Sequence, residues 1–209
     1  MLQVERGRFI TIEGGEGAGK TTLIQSLAAG LEQQGYAVLT TREPGGIPIA
    51  EKIREVILDR THTGMDSRTE ALLYAAARRQ HLTEKVIPAL EAGKTVICDR
   101  YIDSSLAYQG FARGLGMNAI EEINRFAIEG WMPDVTLFLD LPVEIGLRRI
   151  AEAGEREINR LDLERESFHA KVRAGYLKLL EMHPGRIVRI DAEQSPESVL
   201  IDAMAALSM

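Results

Sequence analysis

Apolar positions along the chain follow two periods that alternate from end to end. Short β-branched or apolar runs bounded by glycine or aspartate read as strands: "RFITIEG", "YAVLTT", "TVICD", "DVTLFLDL" and "RIVRIDA". Between them, apolar residues recur at helical spacing. From Gly19 to about Gln34 they are Leu23, Ile24, Leu27, Ala28 and Leu31, and Gly35 ends the helix. "IAEKIREVILD" is helical by the same criterion, as are residues 119–129. Asp66 to Glu91 forms a long helical pattern, with Asp66 or Ser67 as its cap and a kink or break expected at Pro88. Pro142 marks a helix start, and "SPESVLIDAMAAL" reads as a capped terminal helix. The stretch "RRIAEAGEREINRLD", from Arg148 to Asp162, is dense in charge and weak in apolar periodicity, so it reads as a mobile surface segment. Alternating strands and helices predict an α/β fold, a parallel sheet covered on both faces. Ligands of such sheets bind beyond the carboxyl ends of the strands.

Composition narrows the picture. A chain of 209 residues suits one domain, 1–209, or one domain with a mobile insertion, for which the charged stretch at about 148–162 is the candidate. Its 45% apolar and 27% charged residues are those of a soluble globular protein. A net charge of −6 gives no global basic field for nucleic acid or an anionic membrane, so any anion site must be a local cluster. The longest apolar runs are too short to span a bilayer, and "MLQVERGRF" has no apolar core before its charges. The single cysteine, Cys98, lies in an apolar strand and reads as a small buried hydrophobe. A cytoplasmic setting is expected.

The chemistry gathers at the predicted strand ends. Gly14-Gly15-Glu16-Gly17-Ala18-Gly19-Lys20-Thr21, followed by Thr22, fits the phosphate-loop pattern between a strand and a helix. Small residues let backbone amides curl around a phosphate at the positive end of a helix dipole. Lys20 then reaches the β- and γ-phosphates, and the Thr21 hydroxyl is a candidate Mg²⁺ ligand. "TREPGG" and "DRYIDSSLAYQG" place Arg42 and Arg100 at two further strand ends. A phosphomonoester acceptor is mostly dianionic at neutral pH; it needs cations rather than a general base. Asp99 and Asp140 both end apolar strands, and the pattern does not separate them as the acid that serves the metal. Tyr74 with Arg78, Ser104 with Tyr108, and Ser105 with Gln109 stand four apart, a spacing that suits stacking on a base and bonding its edge, or plain burial and capping.

With "GGEGAGKT" and "TREPGG", the run "DRYIDSSLAYQG" resembles bacterial thymidylate kinases, and the similarity extends from "FITIEG" to "IDAEQSPESV". The resemblance implies a three-layer P-loop NTPase fold with a five-stranded parallel sheet and a mobile lid, working as a homodimer. It implies transfer of the γ-phosphoryl group of ATP, with Mg²⁺, to thymidine monophosphate (dTMP). It assigns Glu16 to the acceptor's 3′-hydroxyl, Arg42, Arg100 and Arg54 to its phosphate, and Tyr74, where the family usually has Phe, to stacking on thymine. Arg78 falls on the position that reaches a thymine carbonyl. Ser104, Ser105 and Gln109 fall on or near base-contacting positions, and Tyr108 crowds the 2′-carbon. The phosphate loop carries no arginine, so the resemblance draws a catalytic arginine from the lid: Arg149, Arg156 or Arg160, with Arg156 favoured. Kinases of another deoxynucleotide or deoxynucleoside, the latter needing a general base such as Glu16 or Glu43, and a nucleotide-dependent binding switch remain as rival readings.

Overall fold

The computed structural model describes residues 6–152 and 160–208. Its centre is a sheet of five parallel strands: β1 (Phe9–Gly14), β2 (Val38–Arg42), β3 (Thr95–Asp99), β4 (Val135–Asp140) and β5 (Ile187–Asp191). Their order is β2-β3-β1-β4-β5. Every residue of the central β1 and of β4 is buried, which is why both read as continuous apolar runs.

Side chains alternate across the strands and feed two cores. Phe9, Val96, Cys98 and Phe138 face one side; Ile10, Ile12, Ile97, Leu137 and Leu139 face the other. The second side is covered by α1 (Lys20–Gln33) and α9 (Pro196–Leu207). The first is covered by α3 (Ser67–His81), α6 (Met117–Ile128) and α8 (Glu166–Met182), with α2 (Pro48–Leu58) packed on α3. The result is helix, sheet, helix, the expected three layers.

Local signals act largely as predicted. Asp66 caps α3, its carboxylate accepting from the Arg68 and Thr69 amides, and Ser195 caps α9. The break expected at Pro88 takes another form. A π-helical turn, Leu82–Val86, carries α3 into α4 (Ile87–Glu91), with the Ile87 amide donating to Leu82 O. Pro88 then stands in the first turn of α4, where its missing N–H costs little. A second π-helical stretch, Leu106–Ala112, follows α5 (Ile102–Ser105), so residues four apart there do not keep α-helical alignment.

Two stretches differ from the sequence reading. Helix α8 was not anticipated, although Phe168, Val172, Tyr176 and Leu179 recur on its buried face. The charged stretch is in part regular: Arg148–Glu152 completes α7 (Val143–Glu152), and Arg160–Leu163 forms a 3-10 turn. Residues 153–159, with Arg156 among them, lie outside the described residues.

Candidate active site

The carboxyl ends of β1, β2 and β3 open on a cleft of about 410 Å³. Its lining includes Glu16, Gly17, Ala18, Gly19, Lys20, Thr21 and Thr22 from the loop after β1 and the start of α1. Arg42 and Arg54 come from β2 and α2, and Tyr74 and Arg78 from α3. Asp99, Arg100, Ser104, Ser105, Tyr108 and Gln109 follow β3. Gly14 ends β1 beneath the loop, and Gly15 borders a separate small void. The structure thus gathers nearly the whole predicted set in one cavity.

The loop presents backbone. Gly19 has φ +89°, a conformation that favours glycine, and the space where a side chain would stand is open. The Lys20 ammonium donates to Gly14 O (3.2 Å) and Gly15 O (2.8 Å), and burial lowers its pKa. Opposite it, Asp99 Oδ1 is buried with no hydrogen-bond partner among the described residues. Asp140, its rival from the sequence, is occupied: Arg173 Nε donates to its Oδ1 (2.7 Å) and Arg189 Nε to its Oδ2 (2.8 Å). No group of three or more His, Cys, Asp or Glu side chains that could hold a metal comes together among the described residues. An orphaned carboxylate oxygen beside a threonine and a phosphate loop nevertheless fits Mg²⁺, which keeps several waters and takes few protein ligands.

Arg100 is held by the phosphate loop and by an aromatic ring. It sits at φ +68°, an uncommon conformation for a residue with a side chain. Its Nη2 donates to Glu16 Oε1 (2.7 Å) and its Nη1 to Gly14 O (3.1 Å), and the guanidinium lies 5.1 Å from the centre of the Tyr108 ring. The Tyr108 hydroxyl donates to the same Glu16 oxygen at 3.1 Å. Arg42 is half exposed; its Nη2 donates to both Glu51 oxygens at 2.9 and 3.1 Å. Arg54 Nη1 donates to Pro44 O at 3.0 Å. Tyr74 stands partly buried at the cleft wall, and burial raises its hydroxyl pKa.

Arg78 is enclosed, with 2% of its surface exposed. Its Nε donates to Glu43 Oε2 (2.7 Å), its Nη1 to Asn124 Oδ1, and its Nη2 to Tyr101 O (3.0 Å) and Ser105 Oγ (3.1 Å). A guanidinium has five N–H groups, so these four bonds account for all but one Nη1 hydrogen. Gln109 turns instead toward α3, its Nε2 donating to Glu70 Oε1 at 2.8 Å.

Two buried acids stand behind these residues: Glu13, which the sequence does not single out, and Glu43, which the sequence offers only as the general base of a rival nucleoside kinase. Glu13, at the end of β1, accepts from the Tyr101 amide (2.7 Å), Ser104 Oγ (2.5 Å) and the Tyr176 hydroxyl (2.8 Å). Burial, reinforced by the nearby Asp103 charge, pushes its pKa up to about 7. Glu43 holds both Arg78 and the His81 ring. A polar residue closing an apolar strand was the available signal for Glu13.

The candidate lid arginines separate. Arg160 is buried outside the cleft lining; its Nε donates to Ile57 O (2.9 Å) and its Nη2 to Glu70, and only the next residue, Leu161, reaches the cleft. Arg149 lies on α7 and donates to Ala192 O at 3.1 Å, also away from the lining. Arg156 lies outside the described residues.

The chain is similar throughout its length to known proteins. The family model described as Thymidylate kinase matches residues 12–202. A thymidylate kinase of Clostridium novyi (strain NT) is 57% identical over 196 residues, covering 94% of this chain and 96% of the relative. One of Geobacillus sp. (strain WCH70) is 58% identical over 202 residues, covering 97% and 96%. The crystal structure of thymidylate kinase from Ehrlichia chaffeensis superposes with a TM-score of 0.78 at 31% identity, covering 98% of this chain and 99% of that one. Matching motifs, matching sheet and near-complete coverage agree: the chain belongs to the thymidylate kinase family.

Proposed function

We propose that the chain is a single kinase domain that transfers the γ-phosphoryl group of ATP, with Mg²⁺, to dTMP, giving the diphosphate and ADP. One observation carries the reading: a single cleft is lined by a phosphate loop with Lys20 and, facing it, by Arg42 and Arg100. Two phosphoryl chains repel each other, and cations on both sides offset that repulsion and the charge of transfer. Lys20 and the loop amides bind the donor. Arg42, Arg54 and Arg100 bind the acceptor phosphate. Tyr74 stacks on thymine, and the remaining Arg78 hydrogen meets a base carbonyl. Glu16 takes the 3′-hydroxyl, and Tyr108 crowds the 2′-carbon. Thr21 and Asp99 would hold Mg²⁺, whose chemistry is to neutralise the phosphate oxygens. Arg156 keeps its place as the lid cation of this reading on the sequence alone.

With Asp99 taken for the metal in this reading, the two acids that could serve as a general base are already engaged, which favours a phosphate acceptor over a neutral hydroxyl. A deoxynucleoside would need a general base within reach. Glu16 is engaged by Arg100 and Tyr108, and Glu43 by Arg78 and His81. A homodimer in the cytoplasm completes the reading, with Phe126 of α6 and Leu72 of the adjacent α3, both exposed, as its candidate face. The test is coupled ADP release across thymidine, dTMP and the other nucleoside monophosphates. Release with dTMP well above the rest is expected. Turnover favouring thymidine, or slow hydrolysis indifferent to every acceptor, would turn the assignment to a nucleoside kinase or a binding switch.

A further inference from the structure

Helix α7 touches the phosphate loop backbone to backbone. A methyl at Gly146 would lie 2.3 Å from the Glu16 carbonyl oxygen, and one at Gly17 would lie 2.3 Å from the Gly146 carbonyl oxygen. The two glycines therefore exclude side chains from each other's position, and contact between non-bonded atoms is optimal only near 3.5–4 Å. Beside this contact lies a void of about 20 Å³, bordered by Gly15, Val143, Leu147 and His169 and roomy enough for about one water. On that flank α7 meets the loop across a gap, so Gly146 is where it bears on the loop.

The residue it bears on is the one that holds the acceptor arginine. The Glu16 carbonyl meets α7 while the Glu16 carboxylate accepts from Arg100 Nη2 (2.7 Å) and Tyr108 OH (3.1 Å). We propose that Gly146 is a positioning residue for phosphoryl transfer: by admitting the Glu16 carbonyl against α7, it fixes Glu16 and, through it, Arg100. The inference rests on the loop taking the donor phosphates and adds to that reading a link between the donor loop, the acceptor cation and α7.

Gly146→Ala forces α7 and Glu16 apart by roughly 1 Å. Displacements of that size cost up to about 100-fold in rate. The expected result is a variant that melts within a few degrees of its parent, with kcat for dTMP lowered on the order of 100-fold and KM for ATP changed far less. A folded variant with kcat within two-fold of its parent overturns the inference. Amide exchange in the unmodified chain, with magnesium tripolyphosphate as a probe that fills only the loop, gives a second readout should the variant fail to fold. Slower exchange in peptides covering both 14–21 and 143–152 is expected. Protection of 14–21 alone sinks the link to α7 while leaving the donor site standing. No protection in either removes the donor reading and this inference with it. In a folded Gly146→Ala, protection should persist at 14–21 and vanish at 143–152; its survival there counts against the role of Gly146.

Discussion

Arg78 and Arg42 line the same cleft but are held in opposite ways, and truncating each should read out differently. Arg78 is the buried hub of a network reaching Glu43, Asn124, Tyr101 and Ser105. Removing it strands the Glu43 carboxylate in the interior with only His81. Breaking such a pair costs about 3–5 kcal/mol. Arg78→Ala should therefore lose stability by that order in urea melts, and a higher KM for dTMP in this variant will not by itself identify a base contact. Arg42 is half exposed and paired at the surface with Glu51. Its replacement by Ala should leave stability within about 1 kcal/mol while raising KM for dTMP; an unchanged KM removes it from the acceptor site. Glu13 gives a pH signature. Its pKa rises from 4.5 to about 7 on folding, chiefly through burial, with Asp103 adding to it and Arg100, Ser104 and Tyr176 opposing it. The folded state thus keeps a proton that the unfolded chain gives up, so this group's contribution is full below pH 4.5 and fades as pH rises through 7. The loss is roughly 3 kcal/mol at most. Glu13→Gln should flatten the decline in stability between pH 5 and 7.5 in paired urea melts; an unaltered slope would assign the decline to other groups.

At the scale of elements, Glu70 ties three segments together. From α3 it accepts from Gln109 after α5, from Arg113 beyond it, and from Arg160 in the 3-10 turn. Burial alone would raise its pKa, but these donors and their charges hold it below the ordinary value. Arg160→Ala unties only the turn, because Arg113 still neutralises Glu70. About 2–3 kcal/mol of stability should be lost, together with a higher KM for dTMP as Leu161 leaves the cleft wall; denaturation and initial-rate kinetics check both. The same elements mark how far the sequence could be read. Each strand lies within two residues of its expected place: β1, β3 and β4 are buried apolar runs with sharp ends, while the edge strands β2 and β5, largely unburied, were legible from their β-branched and apolar residues between polar bounds. The phosphate loop was legible because its glycines encode backbone shape. Helix α8 was legible too, since "ERESFHAKVRAGYLKLL" spaces Phe168, Val172, Tyr176 and Leu179 as one helical face among charges, although no element was anticipated there. The roles of Glu13, Glu43 and Glu70 were not legible. Glu13 meets Tyr176 across 163 residues and Glu70 meets Arg160 across 90, and local periodicity carries no record of such pairings.

The whole molecule carries a net charge of −6, yet it draws five cations, Lys20, Arg42, Arg54, Arg78 and Arg100, into one cleft. Attraction for nucleotides is therefore local, within a Debye length of about 8 Å at physiological salt, and it leaves the rest of the surface free for contacts of another kind. On that surface Phe126 of α6 is 89% exposed, and Leu72 of the adjacent α3 is 56% exposed; neither lines the cleft. Fully burying a phenylalanine is worth about 1.5–3 kcal/mol. A two-fold interface uses each residue twice, so removing Phe126 should weaken the proposed dimer by about 3–6 kcal/mol, or roughly 10²–10⁴-fold in Kd. A glutamate there adds like charges facing each other across the axis. In sedimentation velocity at micromolar concentration, the unmodified chain should run at about twice its 23.1 kDa, and Phe126→Glu at the single-chain mass. If Phe126→Glu stays dimeric, the interface lies on another face; if the unmodified chain sediments as one copy, the dimer itself is wrong. Because Phe126 does not line the cleft, the kinetics of the monomeric variant would then show whether one copy supports phosphoryl transfer without its partner.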